Sequence, residues 1–345
     1  MSGTKELGVC TRNPDRKTMN GLAFAKEVLA GEPWLPTPLL PAQVIGPRLG
    51  TELWLKREDC SPVGSFKLRG GLVSMASLAG ELTEAGVYVA SAGNYGLAMA
   101  LAGQRHGVSV TVVVPNGATP SKLERIRICG AEVVEQGEDF DAAKQFARET
   151  AAEAGAAFWE DGAIEEMALG AATIASELLT HLDPWDYVLV PVGNGSLMKG
   201  VASVFKAESP DTRVVGLVST GAPSMTQAIM DQPWDESAPI NTTADGLAVR
   251  VPIPGIVEEL KGLVDEVWLV QEESLLPAVR CLMELEQCMV EPSAAISIAG
   301  LVEHREETAG KRVAAILTGS HLRPSLIPEV LGAKELIPSE TGREG

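Results

Sequence analysis

Four short segments of this 345-residue sequence combine reactive side chains with the small residues that free backbone amides. The first runs Asp59-Cys60-Ser61-Pro62-Val63-Gly64-Ser65-Phe66-Lys67 and ends on a lysine preceded by an aromatic residue, at the mouth of a helical pattern. The positive end of a helix and partial burial beside Phe66 both favour a neutral amine. Only a neutral amine attacks a carbonyl, so Lys67 is a candidate Schiff-base nucleophile. A surface lysine opening a helix is the ordinary alternative. The second segment, Ser91-Ala92-Gly93-Asn94-Tyr95-Gly96, suits a substrate carboxylate, because small residues let N–H groups converge on an anion at a helix start. Asn94 adds a neutral donor for a phenolate-type oxygen. The third, Gly193-Asn194-Gly195-Ser196-Leu197-Met198-Lys199-Gly200, follows the apolar run YVLVPV and has the layout of a phosphate cradle. It lacks the G-K-[ST] of nucleotide-hydrolysing loops and the G-x-G-x-x-G of dinucleotide sites, so a single phosphate fits it better. The fourth, Leu317-Thr318-Gly319-Ser320-His321, places a hydroxyl at a strand end. Taken singly, the last three are also ordinary turns.

Such segments act together only if strands deliver them to one place. Apolar, β-rich runs occur at 51–56, 87–91, 109–115, 131–135, 187–192, 213–218, 266–270 and 312–317. Several are apolar on both faces, as strands of a covered parallel sheet must be. Helical patterns lie between them, such as LAMALAGQRHG, SKLERIRICG, DAAKQFARETAAEAG and ESLLPAVRCLMELEQ, with Gly130 and Gly155 placed to end two of them. Alternation of this kind predicts an α/β protein with a mostly parallel sheet. Ligands of such sheets bind beyond the carboxyl ends of the strands, which is where the four segments fall. The longest irregular stretch, Asp231–Thr243, is expected to edge the site, and the C-terminal KELIPSETGREG to be frayed.

Composition narrows the partners. There are 28 basic and 46 acidic side chains, a net charge of −18, which argues against nucleic acid and anionic membrane surfaces. Aromatic residues make up only 4%, too few for a base-stacking platform. The five cysteines, Cys10, Cys60, Cys129, Cys281 and Cys288, are scattered without a C-x-x-C pair, so no disulfide framework or zinc site is indicated. With no apolar signal core near the N-terminus, a reduced, cytoplasmic chain is expected. No apolar run approaches the length of a membrane span. His106, His181, His304 and His321 show no metal spacing; His321 alone falls near the presumed site, at the end of the fourth segment. The acidic run Glu135–Asp141 reads as a solvated face.

Together the segments resemble the pyridoxal-phosphate (PLP) enzymes of fold type II, the tryptophan-synthase-β group, and most nearly its threonine/serine dehydratase (ammonia-lyase) branch. LKREDCSPVGSFKLRGG, SAGNYG, GNGSL, TTADGLAV, VEPSAA and LTGS appear in that family's order across about residues 35–325. The resemblance implies two three-layer α/β/α domains with mostly parallel sheets and an active site in the cleft between them. Residues 1–79 plus 164–345 would form the large PLP-binding domain. Residues 80–163 would form a smaller one that closes over substrate. It implies that Lys67 holds PLP and that Phe66 packs near its ring. Asn94 would bond the ring oxygen, and Gly193, Asn194, Gly195, Ser196 and Leu197 the phosphate. Gly246 would lie on the cofactor's edge and Thr318 at the pyridine nitrogen. Ser91, Ala92, Gly93, Asn94 and Tyr95 would surround the substrate. A hydroxyl at the pyridine nitrogen makes the ring a weaker electron sink than a carboxylate would, which favours prompt loss of a β-substituent. The implied reaction is β-elimination from a β-hydroxy amino acid such as threonine, serine, 3-hydroxyaspartate or a hydroxyectoine-derived amino acid, giving a 2-oxo acid and ammonia. A homodimer is implied as well. Because the chain stops soon after LTGSHLRP, the regulatory C-terminal domain of biosynthetic dehydratases is expected to be missing.

The sequence also departs from the family's pattern. Tyr95 stands where a histidine is common and brings a larger phenol close to the substrate. Ala92 replaces the second base of serine racemases, so poor racemisation is expected. Val218 falls where some relatives have a metal-binding carboxylate, so no metal is expected there. Thr318 with Ser320 and His321 motivates a second reading, a β- or γ-replacement enzyme of the threonine-synthase kind. A third is a PLP-binding protein without turnover.

Overall fold

The computed structural model describes residues 17–338. The readings of the extreme N-terminus, of Cys10 and of residues 339–345 lie outside that range. Ten strands occur among the described residues: β1 (Leu39–Pro41), β2 (Glu52–Arg57), β3 (Val87–Ala90), β4 (Val110–Val114), β5 (Glu132–Glu135), β6 (Ala157–Phe158), β7 (Tyr187–Pro191), β8 (Arg213–Ser219), β9 (Glu266–Val270) and β10 (Arg312–Leu317). All eight apolar runs are strands. The two additional strands, LLP and AF, are too short to show a two-residue period.

The strands form two sheets, one of six strands ordered β1-β2-β10-β7-β8-β9 and one of four ordered β5-β4-β3-β6. Only the β1–β2 pair is antiparallel. That edge also takes Pro41, which cannot donate to a ladder. Each sheet is covered on both faces. In the larger one, Val313, Ala315 and Leu317 pack with the helices Leu275–Leu285 and Pro292–Glu303. Ala314 and Ile316, one residue out of phase, pack with the helices Glu165–Leu178 and Ser196–Glu208. In the smaller one, Val110, Val112 and Val114 face the helices Lys67–Leu78 and Asn94–His106. Val113 and Ala90 face Ala143 and Ala147 of the helix Phe140–Ala154. This two-sided burial is why the strands read as continuous apolar runs.

The helix Lys67–Leu78 joins the two halves. It leaves the carboxyl end of β2 in the larger sheet, yet Leu68, Leu72, Val73 and Met75 belong to the core beneath the smaller one. Its first residue is therefore held at the junction of the sheets. Among the described residues, no helix is long and apolar enough to cross a membrane.

Candidate active site at the junction of the two sheets

Strand order delivers three of the four segments. β10 lies between β2 and β7, so the loops that follow all three emerge side by side. The Phe66 amide donates to the Thr318 carbonyl at 3.1 Å, and Ser65 bridges Gly319. The loop that carries Lys67 is thereby fastened to the loop that carries Thr318, which is itself buried. After β7 the chain turns at Gly193. A methyl group there would run into the Gly246 carbonyl, so Gly246 sits directly against this loop. Gly195 caps the next helix with φ +97°, a conformation L side chains rarely adopt. The turn so formed aims the amino end of Ser196–Glu208, its positive pole, at the junction. Leu197 is buried, and the Ser196 hydroxyl is buried without a partner. Lys199, within the same segment, pairs with Glu165 and Glu259 and is not part of the cradle.

The second segment comes from the other sheet. Gly93 caps the helix Asn94–His106 in extended conformation, and the Ser91 hydroxyl accepts from the Gly93 amide at 3.2 Å. Ala92 is the remaining residue of that turn. Two side chains here have protein partners that the sequence does not reveal. The Asn94 amide nitrogen donates to Glu291 at 2.8 Å, while its carbonyl oxygen is buried without a partner. Tyr95 directs its hydroxyl to the Trp159 carbonyl at 3.3 Å. Burial pushes the Tyr95 phenol well above its ordinary value. Its ring still lies 6.0 Å from Lys67 Nζ, and the Phe66 ring 5.1 Å.

Lys67 is one half of an ion pair rather than a lone amine. Nζ lies 2.7 Å from Asp161 Oδ2. Asp161 follows β6, and its carbonyl accepts from the Asn194 side chain at 3.1 Å. This single residue thus ties the lysine to the glycine loop. Sequence reasoning missed it, because the FWEDGAIEE stretch that holds it shows only polarity. Glu291, within VEPSAA, was also missed. Burial pushes its carboxyl up to about 7, although the Asn94 hydrogen bond acts against this. Nearby His321 is pushed down to about 4 by burial and by the positive charges of Arg125 and Lys122.

Beneath the site lies a closed cluster of charge. Arg69 reaches Glu58 with Nε and Nη2, both at 2.8 Å, and Glu177 at 2.6 and 2.9 Å. It also reaches the hydroxyls of Thr173 and Thr37. Lys56 pairs with Glu177 as well and donates to the Thr37 carbonyl at 2.8 Å. Two cations and two anions balance here, which makes their burial tolerable.

Comparison with known proteins adds the chemistry. The family model described as "Pyridoxal-phosphate dependent enzyme" matches residues 32–319, most of the chain. The chain belongs to that family. This PLP-dependent enzyme is 32% identical over 303 residues to an L-threonine ammonia-lyase from Thermotoga maritima, covering 88% of this chain and 75% of that one. It is 33% identical over 288 residues to a biosynthetic L-threonine dehydratase from Haemophilus influenzae, covering 83% of this chain and 56% of that one. The solved structure of processed threonine deaminase isoform 2 from Solanum lycopersicum superposes with a TM-score of 0.86 at 30% identity, covering 94% and 90% of the two chains. The fold is therefore that of fold type II PLP enzymes, and PLP is the cofactor.

The residues present fit that group. Seven buried side-chain polar atoms have no partner among the described residues, and four belong to the loops meeting at Lys67: Asn94 Oδ1, Asp161 Oδ1, Ser196 Oγ and His321 Nε2. Buried polar atoms are costly unless something satisfies them, so their concentration here marks a ligand site. One groove, of about 320 Å³, lies elsewhere along residues 222–250, walled by Trp234 and Ile240 of the irregular stretch, and contains none of the expected site residues. The unsatisfied atoms are the better guide, because they carry the chemistry.

Proposed function

We propose that this enzyme eliminates the β-hydroxyl of an amino acid such as threonine or serine, releasing a 2-oxo acid and ammonia, and that Lys67 is both its covalent anchor and its base. Lys67 would hold the PLP aldehyde. The amides of Gly193, Asn194, Gly195, Ser196 and Leu197 would hold the phosphate. Asn94 would face the ring oxygen, Thr318 the pyridine nitrogen, and Phe66 and Gly246 the ring's face and edge. Bound PLP supplies electron withdrawal from the substrate's α-carbon. Everything else falls to the chain. Lys67 Nζ takes the α-proton, and the Asp161 carboxylate beside it stabilises the ammonium that results. The first turn of Asn94–His106, with Ser91, Ala92, Gly93 and Tyr95, receives the substrate carboxylate on helix-end N–H groups that lack helical partners. Ala92 has no proton to give, so the second face of the α-carbon lacks a base and racemisation is slow.

The observation that carries this reading is the convergence, at one lysine, of four strand-end loops whose buried polar atoms lack partners. The relatives support it, since those named above are an ammonia-lyase, a dehydratase and a deaminase of threonine. Replacement chemistry and a non-catalytic carrier are not favoured. We add three finer readings: a homodimer, a cytoplasmic location and closure of residues 80–163 over substrate. The separate four-stranded sheet supports the last of these. The test is 2-oxo acid release from threonine and serine by the purified holoenzyme, with no second substrate. Product only after adding a nucleophile would establish replacement instead. An absorbance spectrum of bound PLP that no amino acid perturbs would establish a carrier. Lys67→Ala should convert that spectrum to the one of free PLP.

A further inference from the structure

Asp161 offers more than a partner for Lys67. One oxygen lies 2.7 Å from Nζ, and the other is buried with nothing to bond. The Asn194 hydrogen bond to its carbonyl holds the residue where the glycine loop meets the reactive amine. Its neighbour Glu160 differs, because both of its oxygens are engaged, by Lys144 and Arg148 at 3.0 Å each. An amine that removes a proton from carbon must approach to about 3 Å. A carboxylate in contact with that amine therefore borders the substituents of the same carbon.

We propose that Asp161 reads the β-substituent of the substrate, accepting a hydrogen bond from a hydroxyl or ammonium there and repelling a second carboxylate. This rests on the elimination reading above. A buried carboxylate oxygen without a donor carries an unmet desolvation cost, and an O–H or N–H on the β-carbon removes it with a charge-assisted bond. A second carboxylate on the substrate would instead place like charges together at a largely covered position, where water screens them less than at the surface. The substrate class narrows accordingly to amino acids whose β-substituent donates a hydrogen bond and whose side chain carries no anion. Threonine and serine fit, and 3-hydroxyaspartate does not.

Amino acids with a methyl group in place of the α-hydrogen cannot lose that proton, so they bind without turning over. Holoenzyme titrated with α-methylserine, 2-aminoisobutyrate and α-methylaspartate, followed by PLP absorbance, gives three dissociation constants. α-Methylserine should bind at least about 10-fold more tightly than 2-aminoisobutyrate, which lacks only the hydroxyl, and α-methylaspartate at least about 10-fold more weakly than α-methylserine. Asp161→Ala should bring all three within about threefold of one another. Asp161→Asn keeps an acceptor but loses the charge, so it should retain the hydroxyl preference and bind α-methylaspartate more tightly. Equal affinities in the wild type, or an unchanged preference in Asp161→Ala, overturn the proposal. If a variant fails to fold, the wild-type ratios decide alone. A wild type that prefers α-methylserine yet releases no 2-oxo acid from serine or threonine refutes the elimination reading only. One that releases product without the preference refutes only the role of Asp161.

Discussion

Two basic residues, two positions apart on one helix, meet carboxylates in opposite ways. Arg69 is fully buried and shares Glu58, Glu177 and two threonine hydroxyls, and no atom of that cluster lacks a partner. Lys67 meets one carboxylate, whose second oxygen has no partner, and three more unpartnered atoms lie on the adjoining loops. Residues two apart on a helix project to different sides, so one sequence element supplies both a foundation and a reactive group. Burial of charge by itself therefore does not mark a site. A saturated polar cluster fixes geometry, and an unsaturated one awaits a ligand.

The contrast can be broken at several points. Lys67→Ala should lower 2-oxo acid formation by roughly 10³-fold or more while leaving the urea midpoint nearly unchanged, since its loss removes chemistry and not packing. Arg69→Leu should do the reverse. It leaves the buried Glu58 carboxylate without a cation, Glu177 keeping only Lys56, and should cost about 3–5 kcal/mol in urea unfolding, with activity falling only as folded protein is lost. Glu291 tests the boundary between the two regions. Its folded-state value of about 7 lies above the ordinary 4.5 because burial disfavours its charge. The folded protein thus binds a proton more readily than the unfolded chain. Stability should be fully present below about pH 4.5 and fall as pH rises to about 7, by up to about 3 kcal/mol. Glu291→Gln should flatten that slope when apoprotein stabilities are compared across this range. Far from both regions, Asp139 caps the helix Phe140–Ala154 by accepting from the Ala142 amide at 2.9 Å. Asp139→Ala should cost about 1 kcal/mol in the urea midpoint, with no effect on amino-acid binding.

How legible each part was follows from its physics. β4 and β7 were visible because all five residues of each are buried, and an apolar run needs no partner to be recognised. The helix Pro292–Glu303 was harder to read. Ten of its residues, Pro292 to Leu301, are buried in succession, so it has no polar face to set a period. The acidic run at 135–141 is exposed, as read, but Asp139 within it also has a capping role that charge pattern alone does not show. The bond from the Tyr95 hydroxyl to the Trp159 carbonyl is not legible either, because a buried phenol takes a backbone carbonyl that only folding brings near.

Local chemistry was written in the chain itself: a lysine after a Pro/Gly turn, a glycine loop after an apolar strand, an asparagine at a helix start. These depend on residues adjacent in sequence, whose backbone preferences are intrinsic. Which carboxylates meet them was settled by folding. Asp161 is 94 positions from Lys67, and Glu291 is 197 from Asn94. Strand order across two sheets brings them together, and no period or motif encodes a contact made over such separations.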